Sequence, residues 1–467
     1  MLRRPLLALV LVVLAGCAGA APVPSSPAVS AAAPAAAPVV PPAPALDPAV
    51  MPKQRATVLR AARYFDGRGD AVVDGGVVVL VENGLITHVG KAASVIAPPD
   101  AEIIDLGDAT LLPGFIDAHT HTTFESTPDY YKDDFVSRHR PATEQAFYAA
   151  SYAKRLLEAG FTTVRDLGSS DLLDVGLRNA IKADLVPGPR MLVAVHSLSA
   201  TGGHGDGDSS PPDRVVPRTL YDGVCDSPDD CVKAVRLQVK YGADVIKVLA
   251  SGGVLSLADA VDSPQLTRET LEALIGEAHR LGKRVAAHCH GDVAGRAAIE
   301  AGIDSIEHGS FLRPDTLALM KRKGTVLVPT LLASEWLSMG ENSTRFPEPI
   351  RVKIKQATEA RSRMFKEALK VGVTIGFGTD SAVSPHGINA REFSLMTGLG
   401  MTPAAALRAA TSVDAALLGI DKQTGTLEAG KLGDIVAVPG NPLVDIKQTE
   451  NVVFVMRAGR VYKRPAR

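Results

Sequence analysis

The sequence predicts an α/β fold in which a (β/α)8 TIM barrel is inserted in a small composite β-sandwich made of N- and C-terminal segments. Between residues 111 and 421, eight buried apolar runs alternate with amphipathic helical stretches, as in parallel strands joined by helices. Residues 53–110 contain short alternating runs and glycine turns, and this pattern returns in residues 422–467. The C-terminal part is too short to fold alone, so we expect it to complete the N-terminal unit.

The N-terminal residues predict export. Arg3 and Arg4 precede a short apolar segment that ends in LAGC, which is too short for a membrane-spanning helix and is typical of a signal peptide. We interpret residues 1–17 as a lipoprotein signal peptide with Cys17 as the lipidation site. The alternative is an ordinary signal peptide that is cut a few residues later. Both interpretations predict an exported protein, and the first predicts a periplasm-facing protein that meets the membrane only through its lipid anchor.

Residues 18–52 are almost entirely Ala, Pro, Val and Ser. Such a composition buries too little apolar surface to fold, so we expect a disordered Ala/Pro tether. In the whole chain, 50 Lys and Arg residues nearly balance 51 Asp and Glu residues, without a long basic run. The charge pattern therefore gives no indication of a nucleic-acid partner.

Two cysteines lie close together in the sequence GVCDSPDDC, where Ser227 is the predicted N-cap of a helix and Pro228 its first residue. In an oxidising compartment Cys225 and Cys231 are well placed for a disulfide, whereas in a cytosolic enzyme the same spacing would suggest a metal site. The predicted export favours the disulfide. We expect Cys289 to be a buried free thiol.

A pair of histidines ends the first buried run, LLPGFIDAHTH. Strand side chains alternate between two faces, so His119 and His121 point to the same side. Neutral imidazoles are common ligands of zinc and related ions. Chance pairs of histidines are frequent, and this pair gains its weight from polar residues further along the chain.

Four more polar residues fall near the carboxyl ends of later predicted strands, where (β/α)8 enzymes place their catalytic groups. They are Lys247 in GADVIKVLASGG, His288 in VAAHCHG, His308 in SIEHGS and Asp380 in GFGTD. A single histidine is more often a hydrogen-bonded core residue, and Asp380 alone could cap a turn. Lys247 is harder to explain in this way, because a lysine in a buried strand is costly unless it is paired, neutralised or modified. The six residues together predict a metal site.

These motifs resemble those of the amidohydrolase superfamily. The closer resemblance is to its secreted imidazolonepropionase-like branch, which includes Xaa-Pro dipeptidases, Xaa-Arg carboxypeptidases and ochratoxin-hydrolysing amidases. It covers residues 57–461 and rests on PGFIDAHTH, GADVIKV, VAAHCHG, SIEHGS, GTDS and GTLEAGKLGDIVAV. Several relatives assemble into large rings, so the resemblance also implies a homo-oligomer.

The resemblance implies two divalent metal ions, by default Zn²⁺. One ion would be held by His119, His121 and Asp380, and the second by His288 and His308.

The resemblance further implies that Lys247, carboxylated by CO₂, bridges the two ions. The chemistry agrees, because burial lowers the pKa of a lysine and leaves a neutral amine that can react with CO₂. A hydroxide shared by the ions would be the nucleophile, and Asp380 would accept its proton and pass it to the leaving amine.

Three further histidines are candidate substrate contacts. His204, in the glycine-rich stretch SATGGHGDGDS, is predicted to bind substrate and to donate a hydrogen bond to the oxyanion of the tetrahedral intermediate. His290 follows His288 on the same strand face and could meet a substrate carboxylate. His386, in SAVSPHGIN, is either a contact or a loop residue.

The resulting hypothesis is a binuclear metal-dependent amidohydrolase that cleaves the amide bond of a dipeptide or N-acyl amino acid. Xaa-Pro, Xaa-Arg and aromatic amides such as ochratoxin A remain open as substrates. An alternative is a cyclic amidase, lactamase or deaminase of the same superfamily, although Lys247 argues against the mononuclear members. A more remote alternative is a lipid-anchored binding protein without catalysis. The presence of all six expected metal-site residues argues against it.

Overall fold

The computed structural model describes residues 55–91, 93, 95–127, 129–206, 217–257 and 259–465, without the side chains of residues 138, 341 and 343. The predicted signal peptide with Cys17 and the predicted tether lie outside the described residues. Among the helices within these ranges, none has the length and apolar character that a bilayer span needs.

Strands from both ends of the chain share one mixed sheet. Its members are β1 (Thr57–Tyr64), β2 (Val73–Glu82), β3 (Leu85–Lys91), β4 (Glu102–Asp105), β5 (Ala109–Pro113), β13 (Ile435–Pro439), β14 (Phe454–Arg457) and β15 (Arg460–Lys463). The order is β15-β14-β13-β5-β1-β2-β3, with β4 beside β1. Because β13 pairs directly with β5, the two ends of the chain join edge to edge in a single sheet. The two separate sheets of the predicted sandwich are not confirmed.

Alternating burial explains why this sheet has two packed faces. Leu59 and Val79 point to one side, where they pack with Phe454, while Val58 and Val78 point to the other. The β2–β3 connection is the hairpin expected from Glu82-Asn83-Gly84. Its two turn residues have φ angles of 50° and 81°, as a type I′ turn requires.

Seven of the eight predicted parallel strands are confirmed. They are β6 (Phe115–Thr120), β7 (Phe161–Asp166), β8 (Arg190–Val193), β9 (Val245–Leu249), β10 (Arg284–Cys289), β11 (Ser305–His308) and β12 (Val326–Val328). They form one parallel sheet in the order β6-β7-β8 and another in the order β12-β11-β10-β9. In the described part of the chain, these strands do not close into one eight-stranded sheet.

The eighth predicted strand, TIGFGTD, runs through residues 374–380 without being a regular strand. Glycine weakens strand pairing, and a Cβ added to Gly378 would lie 2.9 Å from the Cβ of His119. Isolated backbone bonds nevertheless tie this segment to both neighbours. Phe377 O accepts from Ala118 N at 2.9 Å, and Gly376 N donates to Leu327 O at 2.9 Å.

Helices connect the parallel strands. They are α1 (Tyr130–His139), α2 (Ala142–Glu158), α3 (Leu173–Lys182), α4 (Pro228–Lys240), α5 (Arg268–Arg280), α6 (Asp292–Glu300), α7 (Pro314–Lys323), α8 (Leu331–Ser338), α9 (Glu348–Val371), α10 (Arg391–Gly398), α11 (Pro403–Arg408) and α12 (Asp414–Leu418). A single π-helical turn, Ala409–Val413, joins the last two. Because consecutive strands run parallel, their carboxyl ends and the loops that follow lie at one face of the fold.

The start of α4 agrees with the sequence analysis. Ser227 is its N-cap, and its hydroxyl accepts from Asp230 N at 3.2 Å. Cys225 and Cys231 are joined by a disulfide, which ties the start of α4 to the chain that precedes it. Cys289 is a buried free thiol, as predicted.

Candidate metal centre

The end of β6 directs two imidazoles toward one carboxylate. His119 Nδ1 donates to Glu307 Oε2 at 2.8 Å, and His121 Nδ1 donates to the carbonyl oxygen of Gly168 at 2.9 Å. Both Nδ1 protons are thereby used, so each Nε2 keeps its lone pair. The two Nε2 atoms lie 3.4 Å and 3.5 Å from Asp380 Oδ1. This is the convergence that the sequence predicts for one metal ion.

Lys247 projects from β9 into the same space. Its Nζ lies 3.4 Å from His119 Nε2, and the side chain is 2% exposed. In the described residues, no carboxylate oxygen lies within 4.0 Å of this amine. Burial lowers the pKa of Lys247 to about 8, because an ammonium loses its hydration there. A fraction of the Lys247 side chains is therefore neutral near neutral pH.

β10 and β11 supply the other two predicted ligands. His288 Nε2 donates to Gly252 O at 3.2 Å, which leaves Nδ1 as the free nitrogen. His308 Nδ1 lies 2.7 Å from the hydroxyl of Thr330, whose own proton goes to Pro329 O at 2.8 Å. The hydroxyl therefore accepts from His308 Nδ1, and His308 Nε2 keeps its lone pair. The two rings lie 4.6 Å apart.

The donor set fits divalent metal ions. Two groups have their ligand atoms within 4.8 Å of one another: His119, His308 and Asp380, and His288, His290 and His308. Burial lowers the pKa values of these four histidines well below 6.5. They are therefore neutral near pH 7, as a metal ligand must be. All six predicted ligands line one cavity of about 680 Å³.

His290 differs from its neighbours in the position of its proton. Its Nδ1 lies 2.8 Å from the hydroxyl of Ser310, which already accepts from Arg361 Nε at 3.1 Å. In the described residues the Ser310 proton has no other acceptor, so it goes to His290 Nδ1. The neutral His290 ring then carries its proton on Nε2. In this tautomer His290 offers the cavity a hydrogen-bond donor, and the ligand nitrogens that remain in its group are those of His288 and His308.

His204 lines the same cavity beside the candidate ligands, with its ring 4.5 Å from that of His288. The hydroxyl of Ser256 donates to Asp259 and accepts from His204 Nδ1 at 3.0 Å. Burial lowers the pKa of His204 to about 4, so the neutral ring presents a lone pair at Nε2. The predicted donation to an oxyanion would require protonation of this ring.

His386 is engaged elsewhere. Its Nδ1 is bonded to Ser381 Oγ at 2.5 Å and its Nε2 to Phe124 O at 2.8 Å. The ring stacks on Tyr152 at 4.9 Å between ring centres, and it is 2% exposed. It does not line the cavity in the described residues, and a substrate contact by His386 stays a prediction.

Sequence reasoning interprets Arg165 as a polar residue of the barrel interior or a residue that supports the site, but it missed Ser305 and Glu307, which contact it. Glu307 accepts from Arg165 Nη2 at 2.9 Å and from Ser305 Oγ at 2.5 Å. We call Arg165, Ser305 and Glu307 the floor. A buried glutamate beside His308 in SIEHGS was the one available signal. Its partner Arg165 is 142 residues away and is set by the tertiary structure.

Sequence reasoning also missed α9, which forms one side of the cavity. Arg361 Nη1 donates to Thr330 O at 2.8 Å and to Thr330 Oγ1 at 3.1 Å, while its Nε donates to Ser310 as described above. We call Ser310, Thr330 and Arg361 the wall. Two turns earlier on α9, Lys353 Nζ donates to the carbonyls of Gly253 at 3.2 Å and Ser256 at 2.8 Å. The helix thus holds the loop after β9 in place.

Comparisons with known proteins show the family of this chain. The model of the family described as "Amidohydrolase family" matches residues 110–462. Ochratoxinase of Aspergillus niger is 33% identical over 438 residues, which cover 88% of this chain and 87% of that protein. Imidazolonepropionase of Symbiobacterium thermophilum is 27% identical over 408 residues, or 81% of this chain and 88% of that protein.

Solved structures are similar over nearly the same span. A Xaa-Pro dipeptidase with bound methionine in its active site has a TM-score of 0.82 and 36% identity, covering 87% of this chain and all of its own. The Aspergillus niger ochratoxinase structure has a TM-score of 0.77 and 29% identity, covering 89% of this chain and 97% of its own. A prolidase complexed with N-methylphosphonate-L-proline has a TM-score of 0.77 and 28% identity, covering 88% of this chain and all of its own.

These neighbours imply a TIM-barrel-like α/β fold, and the groups described above are of the kind that holds divalent ions in such proteins. The chain therefore belongs to the amidohydrolase family, in the branch of ochratoxinase and the Xaa-Pro dipeptidases, and is a hydrolase of C–N bonds of the amide or peptide type.

Proposed function

We propose that the protein is a binuclear metal-dependent hydrolase that cleaves the amide bond of a dipeptide or N-acyl amino acid and releases a free amino acid. The observation that carries the proposal is the buried amine of Lys247, which lies 3.4 Å from His119 Nε2 and has no carboxylate oxygen within 4.0 Å among the described residues. A lysine is costly in such a place unless its charge is removed. Carboxylation would remove the charge and supply two oxygens for two ions.

His119, His121 and Asp380 would hold one ion, and His288 and His308 the other. Two zinc ions suit this set of imidazoles and one carboxylate. When bound, such ions polarise a carbonyl oxygen and lower the pKa of water toward neutrality.

The chain itself supplies the proton transfers. Asp380 has a side chain that is 16% exposed, and its Oδ1 lies within 3.5 Å of two imidazoles. It is placed to take a proton from the attacking water and to deliver it to the leaving nitrogen. His204, beside His288, presents its Nε2 lone pair, which can accept a hydrogen bond from a substrate N–H group.

The substrate class is supported by what the similar structures bind. Methionine and the proline phosphonate both consist of an amino acid or its derivative, and ochratoxinase is named for the hydrolysis of ochratoxin. Because the family has a TIM-barrel-like fold, we expect a closed barrel in this protein as well. We propose that it closes through the backbone bonds of residues 374–380 and through the bond from Leu198 N to Lys247 O, at 2.8 Å.

Replacement of Lys247 tests the binuclear site. Lys247→Ala should remove one of two bound ions and lower kcat/KM by about a thousandfold, a loss of roughly 4 kcal/mol of transition-state stabilisation. Lys233→Ala, at an exposed position of α4, is the matched control and should keep both ions and full activity. Metal content by mass spectrometry and hydrolysis rates are the measurements. A Lys247→Ala protein with two ions and unchanged turnover would refute the bridging role.

A substrate library tests the reaction. Xaa-Pro, Xaa-Arg and Xaa-aromatic dipeptides, N-acyl amino acids and ochratoxin A are incubated with the protein, and products are identified by mass spectrometry. Release of an amino acid that stops on chelation and returns with zinc is the expected result. If no library member is hydrolysed by protein that holds two ions, this substrate class is rejected and cyclic amides are favoured.

We also propose that the protein is exported and anchored by a lipid on Cys17, and that it is a homo-oligomer. The full chain expressed in a Gram-negative host should enter the membrane fraction with a lipidated N-terminus. Cys17→Ala should abolish the lipid. Recovery of an unlipidated, soluble wild-type protein would contradict the anchor, and a monomeric mass by light scattering would contradict the oligomer.

A further inference from the structure

We propose that Arg361, together with His290, binds the free carboxylate of the amino acid that the enzyme releases. The inference rests on the proposed function and deepens it, because it restricts the substrates to amides whose leaving group carries a carboxylate. Arg361 would thus be a specificity-determining residue on α9.

The first argument is charge. Arg361 is 4% exposed, yet its hydrogen bonds go only to the neutral oxygens of Thr330 and Ser310. In the described residues no carboxylate oxygen lies within 4.0 Å of its guanidinium. Burial lowers the pKa of Arg361 only to about 10, so it stays charged at neutral pH. A buried cation without a partner is costly, and an anionic ligand would offset that cost.

The second argument is direction. Thr330 and Ser310 use the Nη1 and Nε protons of Arg361, whereas Nη2 has no partner among the described residues. Arg361 also lines the cavity that contains the candidate metal ligands. A guanidinium with one free edge facing a cavity is the geometry in which arginine binds carboxylates.

The third argument is the neighbouring donor. Ser310 links Arg361 to His290, and its proton leaves His290 with an N–H at Nε2. The ring of His290 stacks on that of His308 at 4.9 Å between centres. A carboxylate held by Arg361 and His290 would therefore lie beside His308. The short link between the carboxylate and the amide nitrogen of an amino-acid amide fits this proximity.

Other cations that line the cavity are used differently. Arg140 pairs with Glu144 at 3.3 Å, and Arg218 donates to Gly205 O at 2.7 Å from an exposed position. In the described residues, Arg361 is the buried arginine of the cavity that has no carboxylate partner.

A pair of substrates that differ only in this carboxylate tests the inference. N-acetyl-L-methionine and N-acetyl-L-methioninamide present the same scissile acetyl amide. Charge-assisted hydrogen bonds contribute about 1.5–3 kcal/mol, so the wild type should prefer the acid by about 10- to 150-fold in kcat/KM. Arg361→Met should lose most of this preference, so that the ratio of the two kcat/KM values falls toward one, whatever the variant does to the rate with the carboxamide. Arg363→Met, an exposed neighbour on α9, should keep the wild-type preference.

The ratio of kcat/KM for the acid to that for the carboxamide distinguishes carboxylate binding by Arg361 from a purely structural role. If Arg361 only held Thr330 and Ser310 in place, Arg361→Met would slow both substrates equally and the ratio would not change, which would overturn the inference. Metal content is measured in each variant to establish that the loaded enzymes are compared.

A binding measurement distinguishes failure of the inference from failure of the proposed function. L-Methionine and L-methioninamide are titrated calorimetrically into the metal-loaded proteins. Binding of the acid alone to the wild type, and its loss in Arg361→Met, would support the anchor even if no library member is cleaved. Equal binding or no binding of the two probes, or an unchanged preference in the variant, would overturn the anchor whether or not amides are hydrolysed.

Discussion

The floor and the wall each bury an arginine, but among the described residues only the floor pairs its arginine with a carboxylate. Arg165 pairs with Glu307 at 2.9 Å and also donates to Ala118 O at 2.6 Å. Arg361 on the wall meets only hydroxyl and carbonyl oxygens. Both side chains are at most 4% exposed. The difference indicates that the charge of Arg165 is neutralised within the chain, whereas the charge of Arg361 is left for a ligand.

The wall has a buried carboxylate nearby, but the two charges do not form a pair in the described residues. Glu392 accepts instead from Leu331 N at 2.9 Å and from Leu332 N at 2.6 Å, at the start of α8. Burial raises the pKa of Glu392 to about 8. The fold thus leaves Arg361 charged and favours a protonated Glu392 near neutral pH, whereas on the floor the opposite charges meet.

Breaking the floor should have the largest effect on stability. Arg165→Met leaves Glu307 buried without its cation, and removal of one partner of a buried pair costs about 3–5 kcal/mol of the free energy of unfolding. Denaturant titration gives this value. The control is Arg268→Met, which breaks the exposed pair with Glu272, at 2.8 Å, and should leave the free energy of unfolding close to the wild-type value because solvent screens such a pair. A loss below about 1 kcal/mol in Arg165→Met would mean that the floor pair is not a structural requirement.

Glu392, near the wall, should make the free energy of unfolding depend on pH. The unfolded glutamate ionises near its ordinary pKa of 4.5, whereas the folded one keeps its proton up to about pH 8. The wild type therefore loses stability as pH rises between these values. Glu392→Gln removes this titration. The variant should match the wild type within about 1 kcal/mol near pH 5 and exceed it by at most about 4 kcal/mol near pH 8.

Unfolding curves at both pH values make this comparison. Glu359→Gln, at an exposed position of α9, should follow the wild type at both. A constant difference between Glu392→Gln and the wild type across the pH range would exclude a raised pKa as the cause.

Glu307 should matter for metal binding as well as for the floor. Its carboxylate fixes the Nδ1 proton of His119, and loss of such a partner costs about 10- to 100-fold in metal affinity. We expect Glu307→Gln to weaken metal binding by about 100-fold, because the side chain loses its negative charge while its shape is kept. Competition with a chelator measures the affinity. Glu392→Gln, a buried change without a histidine contact, should bind metal as the wild type does, and equal affinities in both variants would contradict the role of Glu307.

The smallest expected effect concerns the two hydroxyls of the wall. Thr330 accepts from His308, a predicted ligand, so Thr330→Val should weaken metal binding by about tenfold. Ser310 donates to His290, which is not a predicted ligand, so Ser310→Ala should leave metal affinity unchanged. The same chelator competition applies. Equal weakening in both variants would show that the proton positions inferred for the two histidines are wrong.

Local patterns were sufficient to predict most elements of the fold. The hairpin at Asn83-Gly84, the N-cap at Ser227 and seven parallel strands follow from turn chemistry and apolar periodicity, which depend on neighbouring residues. The segment 374–380 was predicted as a strand and is not a regular one, although isolated backbone bonds tie it to both neighbouring strands. Those contacts join residues that are distant in the sequence, so a one-dimensional pattern could not show them. The pairing of β13 with β5, which joins the two ends of the chain in one sheet, is likewise a contact between distant residues.

The sequence by itself determined which residues are the candidate metal ligands. Strand alternation places His119 and His121 on one side, and parallel strands bring Lys247, His288 and His308 to the same face. This follows because the order of residues along a strand fixes the direction of its side chains.

Only the tertiary structure decided how the charges and protons around those ligands are arranged. Arg165 meets Glu307 from 142 residues away, and Arg361 reaches Thr330 from the side of a polar helix. Whether a buried cation finds an anion, and which nitrogen of an imidazole keeps its proton, depends on atoms a few ångströms away in space. Separation along the chain does not encode those distances.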